Sequence, residues 1–76
     1  MKDVLETIIK TLVDNKEAVS IEKVENENVV AFNVKVAKED MGKIIGKEGK
    51  MAKAIRTVLK AIGTKEQKKV NVEFID

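Results

Sequence analysis

The 76-residue chain contains no cysteine and no histidine. Without cysteine there are no disulfides, no thiolate metal sites and no thiol nucleophile, and a reducing cytoplasm is the expected compartment. Without histidine the commonest general base and the commonest metal ligand are both missing. No metal or other cofactor is expected. Tryptophan and tyrosine are absent, and the two phenylalanines, Phe32 and Phe74, sit at positions read below as buried. Bases therefore cannot stack on exposed aromatic platforms, a contact worth about 1–3 kcal/mol per base where it exists. No apolar run approaches the roughly 18 residues needed to span a bilayer, so no membrane partner is expected. The opening stretch MKDVLETIIKTLVDN carries acids within an amphipathic pattern and does not read as a signal peptide. Neither a nucleophile–base pair nor paired acids in a cleft can be assembled, and an enzyme is not expected.

The length suits one domain over residues 1–76. A domain this small buries only about 60% of the surface of its unfolded chain, which leaves no room for a second core or a deep substrate cavity. Charged residues make up 37% of the chain, and the net charge of +2 conceals a division. Residues 1–34 hold four lysines against seven acids. Residues 35–60 hold seven lysines and Arg56 against only Glu39, Asp40 and Glu48. A local cationic excess of this kind suits an anionic partner, although a solvated lysine-rich surface accounts for the charge equally well.

Hydrophobic spacing gives the order of elements. Val4, Leu5, Ile8, Ile9, Leu12 and Val13 form a helical stripe, with Asp3 as a candidate cap and Glu6 three residues on. Residues 18–24 read as a short strand in which Val24 falls out of register, suggesting a bulge or a frayed end. Glu25 to Asn28 is a turn. Residues 29–36 alternate with period two, placing Val30, Phe32, Val34 and Val36 on one side. A short helix opens at Lys38 with two acids at its positive end and stops at Gly46. A longer helix runs from about Lys50 to Ile62, with Met51, Ala54, Ile55, Val58, Leu59 and Ile62 on one face and Gly63 as a candidate C-terminal cap. Residues 69–75 form the last strand. The expected fold is α+β in the order α-β-β-α-α-β: a three-stranded mixed sheet, second strand central, and three helices on one face. The last strand is expected to return parallel to the second by a right-handed crossover.

The segment Met41-Gly-Lys-Ile-Ile-Gly-Lys-Glu-Gly-Lys50 packs three glycines and three lysines into ten residues, with no serine or threonine. A nucleotide-binding P-loop needs four residues between its glycines and a hydroxyl after the lysine. Here three residues separate Gly42 from Gly46, and Glu48 follows Lys47. A dinucleotide fingerprint fails for want of a G-x-G start. As structural devices, Gly46 in a left-handed conformation would end one helix and Gly49 would begin the next. That accounts for the glycines but not for Lys47, Lys50 and Lys53 at the positive end of a helix dipole, where exposed cations cost roughly 0.3–1 kcal/mol each. A phosphate backbone reverses the sign of that cost and can accept hydrogen bonds from the exposed helix amides.

This stretch resembles the I-I-G-x-x-G core of KH domains, whose G-x-x-G loop clamps a short run of single-stranded backbone. The resemblance covers essentially the whole chain. The helix and hairpin before the motif match the prokaryotic, type II arrangement. With Ala52-Lys-Ala-Ile-Arg-Thr57 and the closing Lys69-Val-Asn-Val-Glu73, the chain is similar to the small stand-alone bacterial KhpA family. The resemblance implies that Gly46 and Gly49 give backbone access, that Lys47 and Glu48 form the loop tip, and that Ile45 lies beside the apolar floor of the base groove while Ile44 is core. Gly42 would admit close approach of nucleic acid, or of the sheet by helix–sheet packing. Lys43, Lys50 and Lys53 are the backbone-contact candidates. Arg56 and Lys60, opposite the helix's apolar face, are read as solvated surface.

The implied function is weak, loosely specific binding of single-stranded RNA, as an RNA chaperone or post-transcriptional regulator. Single-stranded DNA stays open, because no reader of a 2′-hydroxyl is identifiable. Neutralising about three phosphates gives a log–log salt slope near −2. The resemblance also implies a larger KhpB/Jag-type KH partner and a link to cell shape and division. The competing reading is a protein-interaction module, such as a homodimer, in which the glycine loop belongs to the protein interface.

Overall fold

The computed structural model describes residues 1–46 and 49–75. The first helix, α1 (Lys2–Leu12), begins from Met1 without a side-chain cap; Asp3 lies in the first turn instead of capping it. Its acid still faces the positive end of the helix dipole. Leu5 and Ile9 are fully buried, and Val13 follows just past the helix end. Ile8 and Leu12 are half-buried against the core, whereas Val4 is exposed, so the buried stripe is narrower than the spacing suggests. After Asp14 and Asn15 a single 3₁₀ turn, Lys16–Ala18, leads into the sheet.

Strand β1 (Ser20–Glu25) pairs antiparallel with β2 (Val29–Lys35). The expected bulge at Val24 is absent. Six consecutive residues pair one to one, and Val24 sits opposite Ala31. Val24 is exposed because it lies in register on the open face of the sheet, not because the strand frays. The turn closes with the Asn26 amide donating to the Val29 carbonyl at 2.8 Å. The chain then passes through α2 (Lys38–Ile45) and α3 (Lys50–Lys65) and returns as β3 (Lys69–Ile75), parallel to β2. The strand order is β1-β2-β3, with β2 in the centre.

One face of the sheet carries the core. Val30, Phe32 and Val34 of β2 and Val70 and Val72 of β3 are buried with Leu5, Ile9, Met41, Ile44, Ala52, Ile55 and Leu59, so all three helices press on that one face. The alternate positions, among them Glu22, Asn71 and Glu73, are exposed, as period-two geometry requires.

Helix α3 runs a turn longer than its spacing suggests and is rotated. Ala52, Ile55, Leu59 and Gly63 face the core; Ala54 and Val58 are exposed. Gly63 is therefore not a cap. It is a buried interior residue, and a β-carbon there would lie 2.3 Å from Val70 Cγ2 and 2.8 Å from the Lys68 carbonyl oxygen. Its missing side chain lets α3 sit close on β3. The left-handed residue after the helix is Gln67, at φ 61°. The Lys68 amide donates back to the Gly63 carbonyl at 2.7 Å and the Gln67 amide to Thr64 at 3.1 Å, a Schellman pair that turns the chain into β3.

Candidate nucleic-acid interface

Helix α2 ends where the glycines begin. The Gly46 amide donates to the Gly42 carbonyl at 2.9 Å, the last helical bond. Gly46 is extended (φ −62°, ψ 173°), not left-handed as expected, so its backbone suits any residue. Glycine is needed there for space: a β-carbon would lie 2.6 Å from the Gly42 carbonyl oxygen. Gly49 takes the left-handed conformation, at φ 70°, and caps α3 through backbone geometry alone. Its amide donates to the Gly46 carbonyl at 3.2 Å. The loop-tip candidates Lys47 and Glu48 lie outside the described residues.

No side chain caps α3, and no acid occupies its first turn. Helix starts leave several amides without intrahelical partners, and here the helix supplies no carboxylate to meet them. Lys50 and Lys53, in the first turn or just beyond, are both exposed and form no ion pair among the described residues. Among the described residues nothing claims these amides or the two ammonium groups, so an anion at this corner would be met by both.

Lys43, the third backbone-contact candidate, is differently placed. Its ammonium is paired with the Asp14 carboxylate at the end of α1 and lies 3.8 Å from Asp40 Oδ1. The hydrogen bond with Asp14 raises its pKa above the ordinary lysine value. Asp40 is the only buried charged or polar residue among those described, 2% exposed. Its two carboxylate oxygens accept the backbone amides of Asp14 and Asn15, each at 3.0 Å. These backbone hydrogen bonds hold its pKa below the usual carboxylate range, with the Lys43 charge assisting. Sequence spacing shows Asp40 and Lys43 one helical turn apart, but the distant Asp14 has no sequence signal.

Gly42 is exposed, and a β-carbon there would meet nothing within 4 Å. Helix–sheet packing is thus not its role; the residue leaves a bare patch on α2 one turn before Gly46. Ile44 is core, at 1% exposed, while Ile45 is 50% exposed beside the turn. Two adjacent isoleucines thus take opposite duties.

Arg56 departs most from the sequence reading. It is half-buried and docked on β3: Nε donates to the Val72 carbonyl at 3.0 Å, and the guanidinium lies 5.7 Å from the Phe74 ring centroid. β3 is an edge strand, and Arg56 occupies part of that edge. Phe74 is only half-buried, which leaves the ring available to the cation. Around this contact lies a shallow cavity of about 380 Å³ lined by Arg56, Lys60, Asn71, Val72, Glu73 and Phe74. Composition alone could not show it, because periodicity places Arg56 and Lys60 away from the apolar stripe but not beside a strand.

Among the described residues no His, Cys, Asp or Glu cluster is suited to a metal, and no helix is long and apolar enough to cross a membrane. A family model described as "KhpA/KhpB, KH domain" matches residues 2–74. Similar curated proteins include an RNA-binding protein KhpA of Clostridium acetobutylicum, 55% identical over 99% of this chain and 100% of the relative. Those of Listeria monocytogenes (43% identical, the full length of both chains) and Aquifex aeolicus (42% identical, 100% of this chain and 96% of the relative) are also similar. No solved structure matches.

Proposed function

The chain belongs to the KhpA/KhpB KH-domain family, and from that premise we propose that it binds single-stranded RNA at the turn between α2 and α3. The observation that carries this reading is the start of α3: a left-handed Gly49 with no side-chain cap, no acid in the first turn and exposed Lys50 and Lys53. The relatives are named as RNA-binding proteins. Gly46 and Gly49 let the sugar–phosphate backbone approach, the amides donate to phosphate oxygens, and Lys47, Lys50 and Lys53 neutralise them. Gly42 leaves the neighbouring turn of α2 open to the same strand. Glu48, between the two glycines in sequence, lowers phosphate affinity and keeps the site weak.

Bases lie over Ile45 and in the cavity beside β3. Arg56 is anchored through Nε, so its two terminal amino groups remain as donors to a base edge at little further entropic cost. The half-buried Phe74 ring is engaged by Arg56 and leaves little aromatic surface for stacking, so binding is weak, loosely specific and strongly dependent on salt. A chaperone or post-transcriptional role in the cytoplasm follows from such binding. A KhpB/Jag-type KH partner, with an effect on cell shape and division, belongs to the same proposal and rests on family resemblance.

A variant with Lys47→Asp and Glu48→Asp tests it against the protein-interface alternative, once folding is checked by circular dichroism. Loss of RNA binding with oligomeric state unchanged supports the proposal. Loss of self-association with RNA binding intact assigns the loop to a protein contact and overturns it.

A further inference from the structure

The cavity at Arg56 does not end with Phe74. A second cavity, of about 270 Å³, is lined by Lys60, Thr64, Lys68, Lys69, Val70 and Asn71. The two share Lys60 and Asn71, so they form one continuous seam between antiparallel α3 and β3. Lys53, Arg56 and Lys60 recur at i, i+3 and i+7 and so line one flank of α3. Because Arg56 is docked on Val72, that flank is the one beside β3. Positive charge thus runs from the glycine turn along the seam to Lys68 and Lys69.

We propose that this seam is an extended track for a single strand, ending in a second phosphate-binding patch made by Lys60 and Lys69. The proposal rests on the RNA-binding reading above. Lys68 contributes least, because it is already paired with Glu25. Lys60 and Lys69 are exposed and make no ion pair among the described residues. The nearby acids are Glu73, which lines the first cavity, Glu25, which is paired with Lys68, and exposed Glu66 at the end of α3; none of them lines the second. Nucleic acid is the occupant that fits. The seam is cationic, its far end carries hydroxyl and amide groups from Thr64 and Asn71, and it is continuous with the turn where the backbone is held. From Lys50 to Thr64 the helix covers roughly 21 Å at about 1.5 Å per residue. A strand that stays stacked, at about 3.4 Å per nucleotide, needs roughly six nucleotides to travel that distance, more than the roughly four that a glycine loop clamps.

The test compares oligouridylates of about four and about ten nucleotides on the full chain, wild type against Lys60→Ala with Lys69→Ala and against Lys69→Ala alone, by fluorescence anisotropy across salt. In the wild type the longer strand should bind about tenfold more tightly near 0.15 M salt, with a salt slope steeper by about 1.4 for two added phosphates. The double variant should lose that gain; Lys60 also lines the first cavity, so the variant that should keep its affinity for the short strand within about twofold is Lys69→Ala alone, whose side chain lines only the second cavity. Both side chains are exposed, so the fold should survive. Three results would overturn the track: no gain with length in a wild type that binds the short strand, an undiminished gain in the double variant, or equal losses on both strands from Lys69→Ala alone. A variant whose oligomeric state changes while its RNA binding does not would assign the patch to a protein contact, again overturning it. Failure of the wild type to bind either strand would remove the RNA-binding reading itself, and the track with it.

Discussion

Asp14→Asn should make the protein a better binder of single strands. In the folded chain the Asp14 carboxylate holds the Lys43 ammonium, one turn before Gly46. A phosphate that recruits Lys43 must displace this carboxylate. The pair is open to solvent, with side-chain exposures of 50% for Lys43 and 84% for Asp14, so breaking it costs only about 0.2–1 kcal/mol. A second route to the magnitude is counterion release. One more neutralised phosphate adds about 0.7 to the salt slope of a single strand, worth about fourfold in affinity near 0.15 M salt and about eightfold near 0.05 M. The first route gives a gain of about 1.4- to fivefold and the second about four- to eightfold, so the two overlap at about four- to fivefold. The substitution leaves the Asp14 backbone amide, and so its bond to Asp40, untouched.

The assay is anisotropy with an oligouridylate of about ten nucleotides between about 50 and 200 mM salt. Glu17→Gln in the 3₁₀ turn serves as the control for removing one negative charge. The decisive comparison is a double-mutant cycle. Lys43→Ala alone should weaken binding by less than about twofold, because in the wild type that lysine is already engaged. In the Asp14→Asn background the same change should cancel the gain. If Asp14→Asn behaves like the Glu17 control, or if its gain survives loss of Lys43, then Asp14 does not compete with phosphate for Lys43.

Two further outcomes follow from the packing. Gly63→Ala should destabilise the fold, although alanine normally improves a helix interior by about 1 kcal/mol; the new methyl strikes Val70 and the Lys68 carbonyl, an overpacking cost of about 1–3 kcal/mol, so thermal unfolding should show a fall of several degrees and a rise would refute the close approach. Asp40 should shape acid unfolding. Its folded pKa lies below the unfolded value of about 3.9, so its stabilisation is full above that pH and is lost as pH falls through the lowered folded value. Asp40→Asn should therefore lower stability at neutral pH and flatten the dependence of unfolding free energy on pH below about 4. A variant with wild-type acid dependence would show that the two backbone hydrogen bonds do not set it.

The element order, the central strand and the mixed pairing were legible because β2 and β3 alternate cleanly and because two helices between strands force a crossover. The rotation of α3 was not. Met51, Ala54, Ile55, Val58, Leu59 and Ile62 span a broad arc, and apolar spacing cannot say which side of that arc meets the sheet. Ala52 and Gly63, too small to weigh in a hydrophobic count, mark the side that does. Glycine near a helix end usually marks a cap, but at Gly63 close packing against Val70 decides. At the site the glycines were legible as a turn, but Gly46 serves through lack of volume and Gly49 through its φ angle, a distinction the letter G does not carry. The tie between Asp14 and Lys43, and the docking of Arg56 on Val72, join residues far apart in the chain, and neither leaves a local pattern.

Those distant ties bear on what the motif can do alone. Among the described residues the start of α3 has no side-chain cap, and like charges at Lys50 and Lys53 repel one another. The position of the turn is set from outside: Asp40 fastens α2 to the end of α1 through two backbone amides, and Arg56 fastens α3 to the edge of β3. Both anchors act more than a turn of helix away from Gly46 and Gly49. Cationic groups held close together without a ligand store unfavourable electrostatic energy, which the surrounding fold must offset and which a bound phosphate relieves. On the proposed reading, the affinity of the turn for phosphate is thus a property of α1, β3 and the two glycines together. A peptide of residues 41–50 would carry every letter of the motif and lack the scaffold that holds its amides in one direction.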